Sequence, residues 1–472
     1  MPLKSRESLM LNGFQRPSLK TTILLCAGLF NSPLLLAQNA SAPAEGEIVQ
    51  AAQQSAPVSL PVSLPNPLSL EALLADYAQL SPNIRAQQAM LEISEANGSL
   101  NESVNNWQLA LQGRLGYREF KERSEPNHRL VLHVGKVFYD FGRFAAQAQS
   151  DALILSQRQL ELQQVENLQK LQVIKAYFNA LLSDFQYRVD NEAMAIEYVG
   201  FDKLKERHAI GQASDVDLLA GEQLYQKALV KRMQSEQAQL KTRVELANTI
   251  GLPQARPDEL VFPKLDAFKQ RQLGDMSLAA LQQQVLEKNP QMQALQQAYQ
   301  ALQFDLQKAQ NLDSPTLRGD AWAGQLDSYP QLREGSWKAQ ISIDVPLYDG
   351  GNSRAGQKLI QAKMNQMQAN MQLLAQQLRA EVADVYFQIK LLDAEQKQHK
   401  LFGDYADLYL DFSRALYENE SATDLGDSMV RLSEANYNMV EWQFKQALLW
   451  LELDYLAGKA PNLNSAEVIA AQ

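Results

Sequence analysis

A chain of 472 residues carrying 54 acidic against 44 basic side chains, net charge −10, has room for two or three ordinary domains or one extended architecture. The acidic balance argues against nucleic acid as a partner. A single cysteine, Cys26, excludes a disulfide framework and a thiolate metal site.

In chain order, residues 1–42 read as a signal peptide. Lys4, Arg6, Arg16 and Lys20 precede the apolar run TTILLCAGLFNSPLLLA, and small-residue exits at Ala37 and Ala42 place cleavage near 37–42. Asn31, Ser32 and Pro33 interrupt the run, which is shorter than the roughly 20 apolar residues of a spanning helix, so a cleaved signal is preferred to a membrane anchor. Leu24 and Leu25 before Cys26 do not fit a lipid-modified cysteine. This segment holds four basic residues and one acidic, so its removal takes the net charge from −10 to about −13. Nothing later approaches 18 uninterrupted apolar residues, so helices do not carry any membrane crossing. Residues 43–68, rich in Pro, Ala and Ser with "PVSL" twice, read as an extended tether or outer strap.

The rest is written twice. SLEALLADYAQLSPNIRA (69–86) matches SLAALQQQVLEKNPQMQA (277–294), with Pro82 and Pro290 each thirteen residues past their serine. VFYDFGR (137–143) matches PLYDGGN (346–352), and AYF at 176–178 matches VYF at 385–387. Arg207 to Asp217 matches Arg414 to Asp424, and IGLP near 251 echoes AGKAP near 458. Five landmarks in one order mark a duplication: a first repeat at 69–252, an inter-repeat segment at 253–276, a second repeat at 277–458 and a tail at 459–472.

Each repeat reads as helix, two strands, long helix, second helix, with strands about 107–118 and 129–138, then 315–325 and 336–347. Trp107, Leu109, Leu111, Leu115 and Tyr117 alternate with Gln108, Gln112 and Arg114; Trp337, Ala339, Ile341, Ile343 and Val345 alternate with Lys338, Gln340, Ser342 and Asp344. A period of two with one apolar and one charged face fits a wall between two solvents, and equally a half-buried hairpin of a soluble domain. From Gly142 to about Ile210, and from Asn352 to about Glu420, no proline interrupts good helix formers. About 67 residues make a rod of roughly 100 Å. Met364, Met371, Leu378, Val385 and Leu392 recur every seven residues, as do Leu171, Phe178 and Phe185, which predicts coiled-coil packing. Beyond turns near 211–217 and 421–427 the chain returns antiparallel. Strand joins helix at Asp140–Gly142 and at Asp349, Gly350 and Gly351, where glycine allows the sharp turn and aspartate caps the helix. Four strands cannot close a barrel, and a lipid-exposed edge is excluded, so such a wall needs eight strands from a dimer or twelve from a trimer.

The duplication, the Y-D-x-G junctions, the A/V-Y-F triplets and the Arg207-x-x-x-Gly211 turn together resemble the TolC-type outer-membrane efflux and type I secretion channel proteins, from about residue 69 to 460. The resemblance implies a mainly α chain with a transmembrane β portion. Its duplicated helix–β-hairpin–long helix–helix unit would build a trimeric α/β-barrel channel-tunnel with four strands per protomer. It further implies a homotrimer in the outer-membrane lipid of a Gram-negative bacterium, with a periplasmic tunnel and a belt formed by the inter-repeat and C-terminal segments. Implied partners are a periplasmic adaptor (membrane fusion protein) and an inner-membrane ABC or proton-driven transporter. The family pinches its tunnel at the periplasmic tip with aspartate rings. SATDLGDS puts Asp424 and Asp427 at those positions on one helix face, with Asp217 as the first-repeat counterpart. Plain N-capping by Asp424 and Asp217 explains the same residues. The family's basic latch has no match in ALYENESATD, where Glu420 stands near its place, leaving Arg207, Arg414 and Tyr417 as tip candidates beside Gly211.

No enzyme is expected. His128, His133, His208 and His399 include no pair at ligand spacing, and H-E-x-x-H, G-x-S-x-G and P-loop signatures are missing, so no cofactor, metal or catalytic residue is assigned. The reading is a passive exit duct for protein or drug; the alternative is a non-pore periplasmic coiled-coil scaffold or adaptor.

Overall fold

The computed structural model describes residues 64–77, 81–120, 123–126, 128–274, 276–325, 336–418 and 425–463. The signal peptide, residues 43–63 of the linker, residues 464–472 of the tail, Glu420 and Asp424 lie outside them.

The first repeat opens with a short helix, α1 (Leu70–Ala72), continued by a wider π turn over Leu73–Tyr77. Helix α2 (Pro82–Val104) then starts on a proline, which loses nothing at a first turn. Strands β1 (Gln108–Arg114), β2 (Tyr117–Phe120), β3 (Arg123–Pro126) and β4 (Arg129–Tyr139) follow, then the long α3 (Arg143–Ala209) and the returning α4 (Asp215–Thr249). A four-residue helix, α5 (Asp266–Lys269), lies between the repeats. The second repeat runs α6 (Leu278–Lys288), α7 (Pro290–Gln310), β5 (Thr316–Gln325), β6 (Trp337–Asp344), α8 (Asn352–Glu418) and α9 (Gly426–Leu456). Both long helices have 67 residues. The equivalent serines also act alike: Ser69 Oγ accepts from Ala72 N, and Ser277 Oγ from Ala280 N.

The sheet is antiparallel throughout, in the order β1-β4-β5-β6, so its central pair joins one repeat to the other. The alternation read across 107–118 is broken at Leu115 and Gly116: β1 ends at Arg114, and Tyr117 begins a separate two-stranded ribbon, β2 with β3. A glycine inside a strand pattern is the local reason.

Helix α3 packs on α2, α4, α7 and α9, while α8 packs on α6, α7 and α9. One buried cluster ties them together. In it Phe178 of α3 stacks on Phe444 of α9 with ring centroids 4.2 Å apart, and each such burial contributes about 1.5–3 kcal/mol. Met364, Leu378, Val385 and Leu392 of the heptad are buried along α8. Tyr177 explains one repeated triplet: its hydroxyl lies 2.8 Å from Leu68 O and 2.6 Å from Val261 O, the two carbonyls it can donate to. Leu68 and Val261 are themselves bonded, Val261 N to Leu68 O. In the second repeat Tyr386 donates to Met276 O at 3.4 Å. Each tyrosine thus anchors the residue immediately before its own repeat, Leu68 or Met276.

Candidate pore wall and gate

Register fixes the two faces of the sheet. Leu109, Val134, Ala321 and Ala339 form one cross-strand row, and Leu111, Leu132, Ala323 and Trp337 form the next. On the opposite face the rows read Gln108, Gly135, Asp320, Gln340 and then Ala110, His133, Trp322, Lys338. Leu109, Leu111, Trp337, Ile341 and Ile343 are exposed, an apolar surface with no covering element among the described residues. Strands β1 and β6 each have one neighbour, so both outer edges of the sheet lack a partner among the described residues.

On the polar face His133 Nε2 lies 2.9 Å from Asp320 Oδ1, and Arg318 Nε lies 3.0 and 3.1 Å from the two Asp320 oxygens. The His133 ring stacks on Trp322 at 4.9 Å, and Lys338 Nζ lies over the Trp322 ring at 5.3 Å. Sequence reading set Lys338 on the polar side of its own strand but did not single out His133, Arg318, Asp320 and Trp322 as a group. His133 and Asp320 are 187 residues apart, and only the strand register brings them together.

The strand-to-helix junctions are built alike. Asp140 Oδ1 accepts from Gly142 N and Oδ2 from Phe144 N; Asp349 Oδ1 accepts from Gly351 N and Oδ2 from Ser353 N. Gly142 and Gly351 take left-handed conformations, φ 83° and 89°, and Gly350 does so at 71°. The amides of Ser353 and Gly351 hold the Asp349 carboxyl below the usual aspartate range.

The helices expose two further seams. On α4, Val216, Leu219, Val230, Met233, Leu240 and Val244 are exposed, with Gln223, Gln226 and Gln237 filling a 3-4 repeat. On α8, Phe387, Leu391, Leu401, Tyr405, Leu408 and Phe412 are exposed, with Ala394 and Gln398 completing the same pattern. Neither seam has a partner helix among the described residues.

At the α3–α4 tip, Gly211, φ 75°, closes the turn; Gly211 N donates to His208 O and Gln212 N to Arg207 O. Arg207 Nη2 reaches Gln212 O at 3.4 Å, and His208 Nε2 lies 2.6 Å from Asp215 Oδ1. Ser214, not Asp217, is the N-cap. Asp217 closes a capping box, its Oδ2 accepting from Ser214 Oγ and N while its own N donates to Ser214 Oγ. The Ser214 hydroxyl, then its amide, and Arg207 hold this carboxyl below the usual range. The S-x-x-D spacing was a readable signal for that box.

At the α8–α9 tip, Asp427 Oδ2 accepts from Arg431 Nε at 2.8 Å and stands 3.5 Å from the Tyr409 hydroxyl. The Arg431 guanidinium lies over the Tyr409 ring, which stacks on Tyr405. Arg431 was missed, although an acid and a base four residues apart on a helix is its signature. Arg414 Nη1 is 3.9 Å from Asp411 Oδ1, and Tyr417 is exposed. The structure therefore gathers Arg207, Gly211 and Asp217 in one turn and sets Asp427 among other partners in the second. Among the described residues no cluster of three or more His, Cys, Asp or Glu is placed to hold a metal, and no helix is long and apolar enough to cross a membrane.

Residues 281–459 match the family described as outer membrane efflux protein. No curated protein matches the chain in sequence. Among solved structures, the outer membrane protein VceC from Vibrio cholerae is similar at 17% identity and TM-score 0.66, covering 83% of this chain and 97% of that one. The CmeC outer membrane channel of Campylobacter jejuni is similar at 10% identity and TM-score 0.68, over 84% and 87%. The MtrE outer membrane channel of Neisseria gonorrhoeae, in its open state, is similar at 17% identity and TM-score 0.64, over 84% and 90%. Identities this low speak for the fold alone, and coverage above four-fifths of the chain takes in both repeats. The second repeat thus matches the outer membrane efflux protein family, and the chain as a whole shares the fold of these outer-membrane channels.

Proposed function

We propose that three copies of this chain build a passive exit duct in the outer membrane of a Gram-negative bacterium. An inner-membrane ABC or proton-driven transporter and a periplasmic adaptor would feed it. The observation that carries this reading is the pair of unsatisfied flanks: open strand edges at β1 and β6, and exposed heptad seams on α4 and α8. The strands alternate in direction, so β6 of one copy meets β1 of the next antiparallel, as a closed barrel requires. Three copies give twelve strands, with the apolar rows toward lipid and the polar rows toward water. The antiparallel α4 and α8 seams, similar in length, pair between copies and continue the wall as a helical tunnel. No step of chemistry is assigned; energy comes from the partner pump.

In this reading residues 1–42 are the export signal and 43–68 a tether. Residues 253–276 and 459–472 contribute to a belt around the tunnel formed by repeats 69–252 and 277–458. Asp424, Asp427 and Asp217 lie at the periplasmic entrance, beside the turn residues Arg207, Gly211, Arg414 and Tyr417. Asp140, Gly142, Asp349, Gly350 and Gly351 join barrel to tunnel.

The test is outer-membrane fractionation, heat-dependent gel migration and conductance of the purified protein in planar lipid bilayers. A heat-sensitive trimer in the outer-membrane fraction that opens discrete pores is expected. A lone monomer in detergent with no conductance overturns the proposal and favours a periplasmic scaffold.

A further inference from the structure

The polar face of the sheet is not balanced in charge, and the imbalance is sharpened by burial. Among the described residues, four permanently basic side chains lie on it, Arg114, Arg129, Arg318 and Lys338, against two acids, Asp320 and Asp344. This is opposite in sign to the whole chain, at −10. The acid at the centre is also hidden. The Asp320 side chain is 8% exposed, while Arg318, which binds it, is 41% exposed. Asp320 lies flat because its cross-strand neighbour is Gly135: a Cβ there would meet Asp320 Oδ1 at 2.8 Å. The carboxylate is thereby turned into the seam between the repeats, toward His133 and Arg318, while Arg318 and Lys338 stay more exposed than the acid. One row higher, Lys338 is exposed on the edge strand and sits over Trp322, which His133 backs as a stacked plane. At the far end of the same face Arg114 and Arg129 are direct register partners. There Arg129 Nε is buried without a hydrogen-bond partner.

We propose that the membrane-embedded part of the duct is an anion-attracting ring, and that it favours cargo bearing carboxylate, phosphate or sulfate groups. This rests on the duct reading: closing three sheets repeats each row three times, so Lys338 and His133 line one ring and Arg114 and Arg129 another. Charged rings of this kind select ions by sign, and low-dielectric walls concentrate the field within them. The acidic periplasmic tip lies at the other end of the molecule, so the barrel and the tip act on ions of opposite sign.

The experiment uses full-length trimers in planar bilayers under a potassium chloride gradient, with tripolyphosphate added from the extracellular side. Wild-type pores are expected to be blocked by tripolyphosphate. Lys338→Glu with Arg129→Glu should raise the half-blocking concentration about tenfold or more and move the reversal potential toward potassium. If that pair fails to assemble, Lys338→Gln on the exposed edge strand reads the same shift at smaller amplitude. Open pores whose block and reversal potential are unchanged by these substitutions overturn the anion ring while leaving the duct intact. Wild-type protein that opens no pore at all overturns the duct, and the ring with it.

Discussion

Asp140 and Asp349, 209 residues apart, make the same two hydrogen bonds, each carboxylate accepting from the amides two and four residues ahead. The bonds satisfy amides that the first turn of a 67-residue helix leaves without partners. They also hold the chain at a left-handed glycine, Gly142 or Gly351, where strand direction changes to helix direction.

Asp140→Ala is therefore expected to destabilise the start of α3 by about 1 kcal/mol, seen as a lower thermal midpoint by circular dichroism. At Asp349 the effect should depend on pH. Its carboxyl is held below the usual 3.8 by the Ser353 and Gly351 amides, so its contribution is fully present above that value. It is lost as pH falls through the lower folded-state pKa. Melts repeated downward from about pH 5 should show a shallower acid-side decline in Asp349→Ala than in the parent; parallel declines would remove the cap from the account.

A second staple ties the inter-repeat segment to the last helix. Arg271, just after α5, makes a bidentate pair with Asp454 of α9 at 2.7 and 2.8 Å, both side chains almost fully buried, and stacks over Trp450 at 4.7 Å. Removing one partner strands the other charge, so Asp454→Ala should cost about 3–5 kcal/mol. Replacing both, Arg271→Met with Asp454→Leu, should recover most of that loss. Denaturant titrations of helical signal measure it, and a double variant no better than the single would mean that shape, not charge, dominates there.

What could be read from the chain alone divides along the range of the interactions. Caps, glycine turns and heptads act within a few residues, so the duplication exposed them, and the Asp140 and Asp349 junctions were legible as junctions. The tyrosine triplets were legible as repeats but not as anchors, because Tyr177 bonds Leu68, 109 residues away. The His133 and Asp320 pair depends on register between strands of different repeats, which no local pattern encodes. The helices hid a second signal: the buried Met364 heptad is the denser stripe, and the exposed series from Phe387 to Phe412 runs beside it on the same helix.

That exposed series makes its own prediction. Leu401→Asp with Leu408→Asp removes two apolar side chains from the α8 seam without touching the buried one. Each leucine covered by a neighbouring helix is worth about 1.5–3 kcal/mol. The proposed trimer should dissociate on native gels or in light scattering while helix content stays unchanged. A trimer as stable as the parent would place the interface elsewhere.

The tip of the second hairpin gives the last test, because Asp427 is already engaged within its own chain. Arg431 and the Tyr409 hydroxyl share its carboxylate, and the carboxylate raises the Arg431 guanidinium further above its usual range. An entrance ring of acids would bind trivalent cations, and the cis arginine competes with them for the same oxygens. Arg431→Ala should therefore strengthen block by hexaamminecobalt added from the periplasmic side of a bilayer several-fold, whereas Asp424→Ala with Asp427→Ala should abolish it. Because Arg431 lies one helical turn beyond Asp427, its loss changes the charge facing the carboxylate without altering the turn before α9. Block that is indifferent to all three substitutions would leave Asp427 as a surface ion pair and move the gate off this tip.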